Sequence, residues 1–207
     1  MAFIKPKTPT PEAPPATAPA SPAELENQLN AADAGIRRQA ARSLGDMPDS
    51  GVPLLLTRLR QETDGAVREA IMLALTEIGD TAAVQGFVQC LHSESVALRN
   101  EAIEAMKQLP GTVAPVMAGL LNDPDADVRI FAVNVLESLR HPEVESWLIN
   151  VISHDPHVNV CGTAVDLLGE VGSTAAIEPL EALKRRFSGE PYIEFAADLA
   201  LRRIRGD

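Results

Sequence analysis

The chain has 207 residues, a formal net charge of −11 and 45% apolar residues, but only 3% aromatic residues. Nucleic-acid binding is therefore disfavoured, because carboxylates repel phosphates and few aromatic rings are present to stack on bases. Two cysteines cannot build a disulfide framework, and no apolar run reaches the ~18 residues that a membrane helix needs. The first residues also lack the apolar centre of a signal peptide, so we expect a cytoplasmic protein with neither a nucleic-acid nor a membrane partner.

Residues 1–21 are rich in proline and alanine, and seven of the 16 prolines of the chain fall within the first 22 residues. Proline fixes φ and has no N–H to donate, so this segment cannot enter a helix or a central strand. It is predicted to be an extended, disordered arm. The arm is either a linker or a docking motif. The second alternative is suggested by Phe3 and Ile4, which lie beside Lys5 and Lys7 near its tip.

From residue 22 onward the sequence repeats with a period of about 31 residues. The clearest copy contains Val67, Arg68, Ile71, Leu75 and Ile78. The position that Arg68 occupies is here called the anchor, and the corresponding positions of the other copies are residues 37, 99, 129, 161 and 194. Apolar residues at −1, +3, +7 and +10 from each anchor form one face of a helix. A second apolar helix precedes this one in each copy, so every unit is predicted to be a helical hairpin.

No single hairpin can bury its apolar faces alone. Stacking of the units therefore predicts an all-α fold, an α-solenoid of about six helical-hairpin repeats behind the N-terminal arm. The predicted units of the array, residues 22–207, span about residues 22–50, 51–79, 80–110, 111–140, 141–172 and 173–207. Residues of the capping type precede the anchor helices, and Ser21 with Glu24 has the form of a capping box. The four capping residues are Asp33, Asp64, Ser95 and Asp125.

The pattern Asp-x-x-Val/Ile-Arg-x-x-Ala, followed by Leu and Ile-Gly, resembles the HEAT-repeat family. The short period is similar to the bacterial HEAT-like type named after subunits of phycobilin lyases. The resemblance covers residues 22–205, and Cys161 and Glu194 replace the arginine in the last two copies. It implies a HEAT-like solenoid whose second helices line the concave surface. It also implies one activity, that of a lyase or isomerase subunit acting on a protein-bound tetrapyrrole (bilin).

Four anchors are arginines, and each follows acidic or hydroxyl residues at the start of its helix. We predict that these arginines form a ladder of charge-assisted hydrogen bonds between neighbouring units. The four arginines are Arg37, Arg68, Arg99 and Arg129, and the residues before them are Asp33, Asp64, Glu94 or Ser95, and Asp125.

The positions one, two and five residues after each anchor are predicted to face outward on the concave surface. Large apolar residues at such exposed positions are typical of protein-binding surfaces. Including the polar residues beside them, the candidate partner-binding residues are Arg38, Glu69, Leu73, Glu101, Glu104, Ile130, Phe131, Asn134, Asp166, Phe195 and Leu199.

The centre of this surface is predicted to be an apolar spot made by Ile130 and Phe131. Its rim is acidic, formed by Glu101, Glu104 and Asp166, which is the arrangement of a protein-binding hot spot. The alternative is that the helix phase is shifted by one residue and Phe131 belongs to the core.

No catalytic, cofactor-binding or metal-binding cluster is predicted. The two histidines of His154-Asp155-Pro156-His157 have no third ligand and fit a turn between helices. We therefore expect a non-catalytic interaction module, an adaptor or assembly factor that binds a partner protein with a basic or mixed apolar and basic surface. The alternative is the bilin lyase or isomerase subunit implied by the resemblance. The oligomeric state does not follow from the sequence.

Overall fold

The structure is a computed structural model that describes residues 20–206, so the predicted N-terminal arm lies outside the described residues. Within 20–206 the chain is all-α, with twelve α-helices, one short 3-10 helix at Thr174–Ala176 and no strand. The helices are α1 (Pro22–Leu29), α2 (Ala34–Gly45), α3 (Pro48–Leu59), α4 (Gly65–Ile78), α5 (Thr81–Leu91), α6 (Val96–Lys107), α7 (Pro110–Leu120), α8 (Ala126–Leu136), α9 (Val144–His154), α10 (Val158–Val171), α11 (Ile177–Arg186) and α12 (Pro191–Arg205).

The helices form six consecutive hairpins stacked in two layers. Each even-numbered helix packs against the next even-numbered helix, from α2 through α12. Odd-numbered helices form the other layer, with contacts from α1 to α3, α3 to α5, α5 to α7 and α9 to α11. This arrangement is the α-solenoid that the repeat predicts, because a hairpin buries its apolar faces only against its neighbours.

The core lies between the two layers and follows the predicted helical face. Two positions of every repeat are buried without exception, those at +3 and +7 from the anchor. At +3 these are Ala40, Ile71, Ala102, Ala132, Ala164 and Ala197, and at +7 they are Leu44, Leu75, Met106, Leu136, Leu168 and Leu201. In five of the six repeats the residue at +3 is alanine, which lets neighbouring helices approach closely, and the larger residue at +7 fills the core.

The predicted helix starts are confirmed at the atomic level. Ser21 and Glu24 form a complete capping box at the start of α1. The side chains of Asp33, Asp64 and Asp125 each accept a hydrogen bond from a first-turn amide of α2, α4 and α8, respectively. These contacts satisfy donors that have no partner inside the helix, so they fix where each helix begins.

Ion pairs between repeats are present, but their carboxylates differ from the predicted ones. Because the aspartates before the anchors cap their own helices, the arginines reach the next repeat instead. Arg37 binds Glu62 through two nitrogens, at 2.9 and 3.0 Å, and Glu62 has a fully buried side chain. In the same way Arg68 binds Glu101, 2.8 Å away, in the next even-numbered helix.

The third ion pair joins Arg129 to Asp155, with Nε at 2.6 Å from Oδ2 and a second bond of 3.1 Å. Arg99 has no carboxylate in this position. Its Nη1 donates to the Ser93 carbonyl at 2.6 Å, and its guanidinium lies 5.5 Å from the centre of the Phe131 ring. The ladder therefore has three ion pairs and one cation–π contact among the described repeats.

In the fifth repeat, Arg186 of α11 takes over the position that Cys161 leaves without a guanidinium. The other anchors Arg37, Arg99 and Arg129 each donate to the carbonyl six residues before them. The corresponding carbonyl of repeat five, that of Asp155, accepts from Arg186 at 3.0 Å. Arg186 also donates to the carbonyls of residues 152 and 153 and to the Cys161 sulfur.

This substitution gives a testable pair of variants. Arg186→Gln is expected to lower the free energy of unfolding by about 1–2 kcal/mol, because charge-assisted bonds to three carbonyls are lost. Adding Cys161→Arg to that variant is expected to recover part of the loss, because the new arginine occupies the anchor position from which Arg37, Arg99 and Arg129 donate to the carbonyl six residues before them. Urea denaturation measures both effects, and Arg185→Gln, an exposed neighbour, serves as the control. If the double variant recovers no stability, an arginine at position 161 cannot replace the contacts that Arg186 makes from α11.

Candidate functional site

The predicted binding residues fall on the exposed side of the even-numbered helices, where a groove opens between α4 and α6. Four of them, Glu69, Leu73, Glu101 and Glu104, line this α4–α6 groove. Its volume is about 630 Å³. The remaining lining residues are Gly65, Arg68, Met72, Thr76, Ala105 and Gln108.

The α4–α6 groove combines carboxylates with apolar surface. Leu73 is 52% exposed although it is a large apolar residue. Glu69 lies four residues before Leu73 on the same face of α4 and forms no ion pair with any residue in 20–206. Glu101 is held by Arg68, and this hydrogen bond raises the pKa of Arg68. One carboxylate is therefore fixed in place and another is free to accept a cation.

A second, smaller groove of about 230 Å³ lies between α8 and α10. It contains two more of the predicted residues, Asn134 and Asp166, together with Glu137 and Glu170. Asp166 accepts a hydrogen bond from the Tyr192 hydroxyl, and this hydrogen bond, with a smaller contribution from burial of Tyr192, raises the pKa of Tyr192 to about 12. The acidic character of the α4–α6 groove thus continues along the array.

The central apolar spot differs from the prediction. Ile130 and Phe131 are half-buried and pack against the core rather than lying open on the surface. Phe131 is additionally covered by the Arg99 guanidinium. Of the other large apolar residues predicted to be exposed, Leu73 and Phe195 are exposed, whereas Leu199 is half-buried. Arg38 is exposed on α2 but lies outside both grooves.

Sequence reasoning missed the residues that complete each groove. Met72, Gln108 and Glu137 line the grooves but were not among the predicted residues. A groove needs two surfaces, namely positions +1, +4, +5 and +8 of one helix and +2, +5, +6 and +9 of the next. The helical period contained this signal, but pairing the two sets requires the stacking order of the repeats.

The described residues contain no group of three or more side chains arranged to hold a metal ion. No helix between residues 20 and 206 is both long and apolar enough to cross a membrane. Cys90 and Cys161 are buried, and burial raises the pKa of each thiol to about 11. At neutral pH both are therefore protonated thiols of low nucleophilicity.

The HEAT-repeat pattern matches residues 22–107 and 113–202, which is most of the array. The chain belongs to the HEAT-repeat family. Among characterised relatives, the bilin biosynthesis protein PecE of Mastigocladus laminosus is 31% identical over 152 residues, covering 72% of this chain and 56% of PecE. The HEAT-repeat chain thus spans a little more than half the length of the PecE proteins that it matches.

Two further proteins are similar to this HEAT-repeat protein. The uncharacterised phycocyanin operon protein Z of Pseudanabaena tenuis is 23% identical over 186 residues, covering 86% of this chain and 92% of that protein. The structure of the complex of CpcE and CpcF of phycocyanin lyase from Nostoc contains a chain that is 19% identical. That match covers 93% of this chain and 98% of the other, with a TM-score of 0.38.

Proposed function

We propose that this HEAT-repeat protein is a non-catalytic protein-binding factor, an adaptor or assembly factor that holds a partner protein on the exposed side of its even-numbered helices. The observation that carries the proposal is the α4–α6 groove, where the exposed Leu73 lies beside the carboxylate of Glu69. An apolar centre flanked by carboxylates complements a partner surface that is basic or mixed apolar and basic.

The relatives suggest the context in which the partner is bound. PecE is named a bilin biosynthesis protein, and a second relative comes from a phycocyanin operon. We therefore expect the partner to be a protein that carries or processes a bilin. The acidic net charge of −11 favours partners with basic surfaces and speeds their association at low ionic strength.

The second candidate is a lyase or isomerase subunit that acts on a protein-bound bilin. The similarity to PecE favours it. In that case the carboxylates of Glu69 and Glu104 would accept hydrogen bonds from the pyrrole N–H groups of the tetrapyrrole. The two candidates differ in what the groove holds, a protein side chain or the chromophore itself.

Native mass spectrometry of the tagged protein purified from its own cells distinguishes them. We expect the wild type to carry a partner protein in stoichiometric amount. The Glu69→Lys variant is expected to bind that partner about tenfold or more weakly. Glu26→Lys carries the same charge reversal on the exposed surface of α1 and is expected to keep the partner. The complex should also weaken as salt is raised, because the attraction is electrostatic.

A bound chromophore without a partner protein would contradict the adaptor function and support the bilin enzyme. Visible absorption of the purified protein reports this directly. Equal partner binding by wild type and Glu69→Lys would show that the α4–α6 groove is not the binding surface.

A further inference from the structure

The exposed side of α2 carries two arginines that neither groove includes. Arg38 and Arg42 lie at positions +1 and +5 from the anchor, the positions that Glu69 and Leu73 occupy on α4. Both arginines are exposed, and neither forms an ion pair with any residue in 20–206. The helix α2 itself contains no aspartate or glutamate. This surface is therefore positive, although the net charge of the chain is −11.

The neighbouring helix α4 carries charge of the opposite sign. Its one cation, Arg68, is bound by Glu101 of α6 at 2.8 Å. Its two carboxylates, Glu69 and Glu77, are exposed and form no ion pair within the described part of the chain. The sign of the charge that is left without a counter-charge therefore changes from positive to negative between α2 and α4.

The basic surface of α2 lies within reach of a molecule that occupies the α4–α6 groove, because α2 packs directly against α4. A Cβ atom added to Gly45 of α2 would lie 3.2 Å from the Ala74 side chain of α4. The axes of helices in such contact are about 8–10 Å apart, so the axes of α2 and α6 are separated by about 16–20 Å. An extended chain covers that distance in about five or six residues. One short segment of a partner protein can therefore contact both surfaces.

We propose that the partner protein binds through a segment with an acidic end over α2 and an apolar and basic end in the α4–α6 groove. This inference rests on the proposed function and specifies the chemistry of its partner. The acidic end pairs with Arg38 and Arg42, whereas the other end packs on Leu73 and pairs with Glu69. A purely basic segment would bring its cations against the two arginines, which disfavours it. The charges of the array thus fix the direction in which the segment crosses the helices.

Fluorescence anisotropy of two labelled peptides, titrated with the full 207-residue chain, tests the proposal. The mixed peptide has two glutamates, two leucines and two lysines in that order, and the basic peptide has lysines in place of the glutamates. The salt concentration is about 0.15 M, at which charges more than about 8 Å apart are largely screened. The wild type is expected to bind the mixed peptide. The α2 variant, Arg38→Glu with Arg42→Glu, is expected to bind it at least about tenfold more weakly, because carboxylates then face carboxylates.

The matched control is Arg140→Glu with Arg185→Glu, which changes the net charge equally at exposed positions on other parts of the array. This control variant is expected to bind the mixed peptide as the wild type does. The basic peptide should give the converse result. We expect it to bind the α2 variant more tightly than the control variant, because its additional lysines then face glutamates instead of arginines. Only a direct contact with α2 produces opposite effects on the two peptides at equal net charge.

Equal binding of the mixed peptide by the α2 variant and the control variant, both folded by circular dichroism, would overturn the proposal. A wild type that does not bind the mixed peptide would also overturn it. Glu69→Lys separates this result from the proposed function, because both peptides place lysines in the groove and should bind this variant more weakly. If Glu69→Lys weakens both peptides while the α2 variant behaves like its control, the groove binds basic segments and the acidic end over α2 is wrong.

Discussion

Glu62→Gln is expected to lower the free energy of unfolding by about 3–5 kcal/mol, because it removes one partner of a buried ion pair. The Glu62 side chain is fully buried and accepts hydrogen bonds from Arg37, Arg58 and the Asp64 amide. Arg37 is itself only 8% exposed, so a neutral amide would leave its guanidinium buried without a counter-charge. Urea denaturation followed by far-ultraviolet circular dichroism measures the change.

The matched control is Glu101→Gln, which removes the carboxylate from the Arg68 ion pair. The Glu101 side chain is 32% exposed, so water partly replaces the lost contact. We expect a loss of less than about 1 kcal/mol. Equal losses in the two variants would show that burial does not set the strength of these ion pairs.

The Glu62 carboxylate should make the free energy of unfolding depend on pH. Burial alone would raise the pKa of Glu62, but hydrogen bonds from Arg37, Arg58 and the Asp64 amide outweigh it and lower the pKa from 4.5 to about 2. Since the pKa of Glu62 is lower in the folded than in the unfolded protein, the stabilisation that its carboxylate provides is complete above pH 4.5. It is lost as pH falls from 4.5 towards 2. The free energy of unfolding of the wild type should fall by about 3 kcal/mol over that interval through this group. Glu62→Gln should lack this component.

Phe87→Ala is expected to lower the free energy of unfolding by about 3–5 kcal/mol. Phe87 lies in α5 with a fully buried ring and is the largest of the fully buried side chains in the described structure. Removing the ring leaves a cavity between repeats that the rigid helices cannot close. Because each repeat is stabilised only by its neighbours, a defect in the third repeat weakens the contacts on both sides.

Phe195→Ala removes the same ring from an exposed position and provides the comparison. We expect a change within about 0.5 kcal/mol, because the ring of Phe195 is 63% exposed. Urea denaturation of both variants under identical conditions checks the pair. A small loss for Phe87→Ala would mean that the array relaxes into the cavity.

Much of the fold could be predicted from the sequence, because the signals are local. The positions at +3 and +7 from each anchor lie on one helical face, and all twelve of them are buried. The capping residues Ser21, Asp33 and Asp64 act on amides two or three residues away. Contacts within one helical turn depend only on neighbouring residues, so a repeated pattern is enough to predict them.

The candidate site could be predicted only in part. Glu69, Leu73 and Glu101 were placed on one surface because they share a helical phase within their repeats. The sequence left open whether Phe131 is exposed or belongs to the core, and its half-buried state is decided by packing against the core and by Arg99 of the preceding repeat.

The sequence by itself determined the six helical hairpins, their caps and their apolar faces, because these follow from periodicity within about 15 residues. The tertiary structure decided which charges meet. Arg37 binds Glu62, 25 residues away, and Arg186 binds the carbonyl of Asp155, 31 residues before it. In the sequence, each arginine has several aspartates or glutamates nearby that could be its partner. The distance between stacked helices, together with the use of the aspartates as helix caps, selects among them.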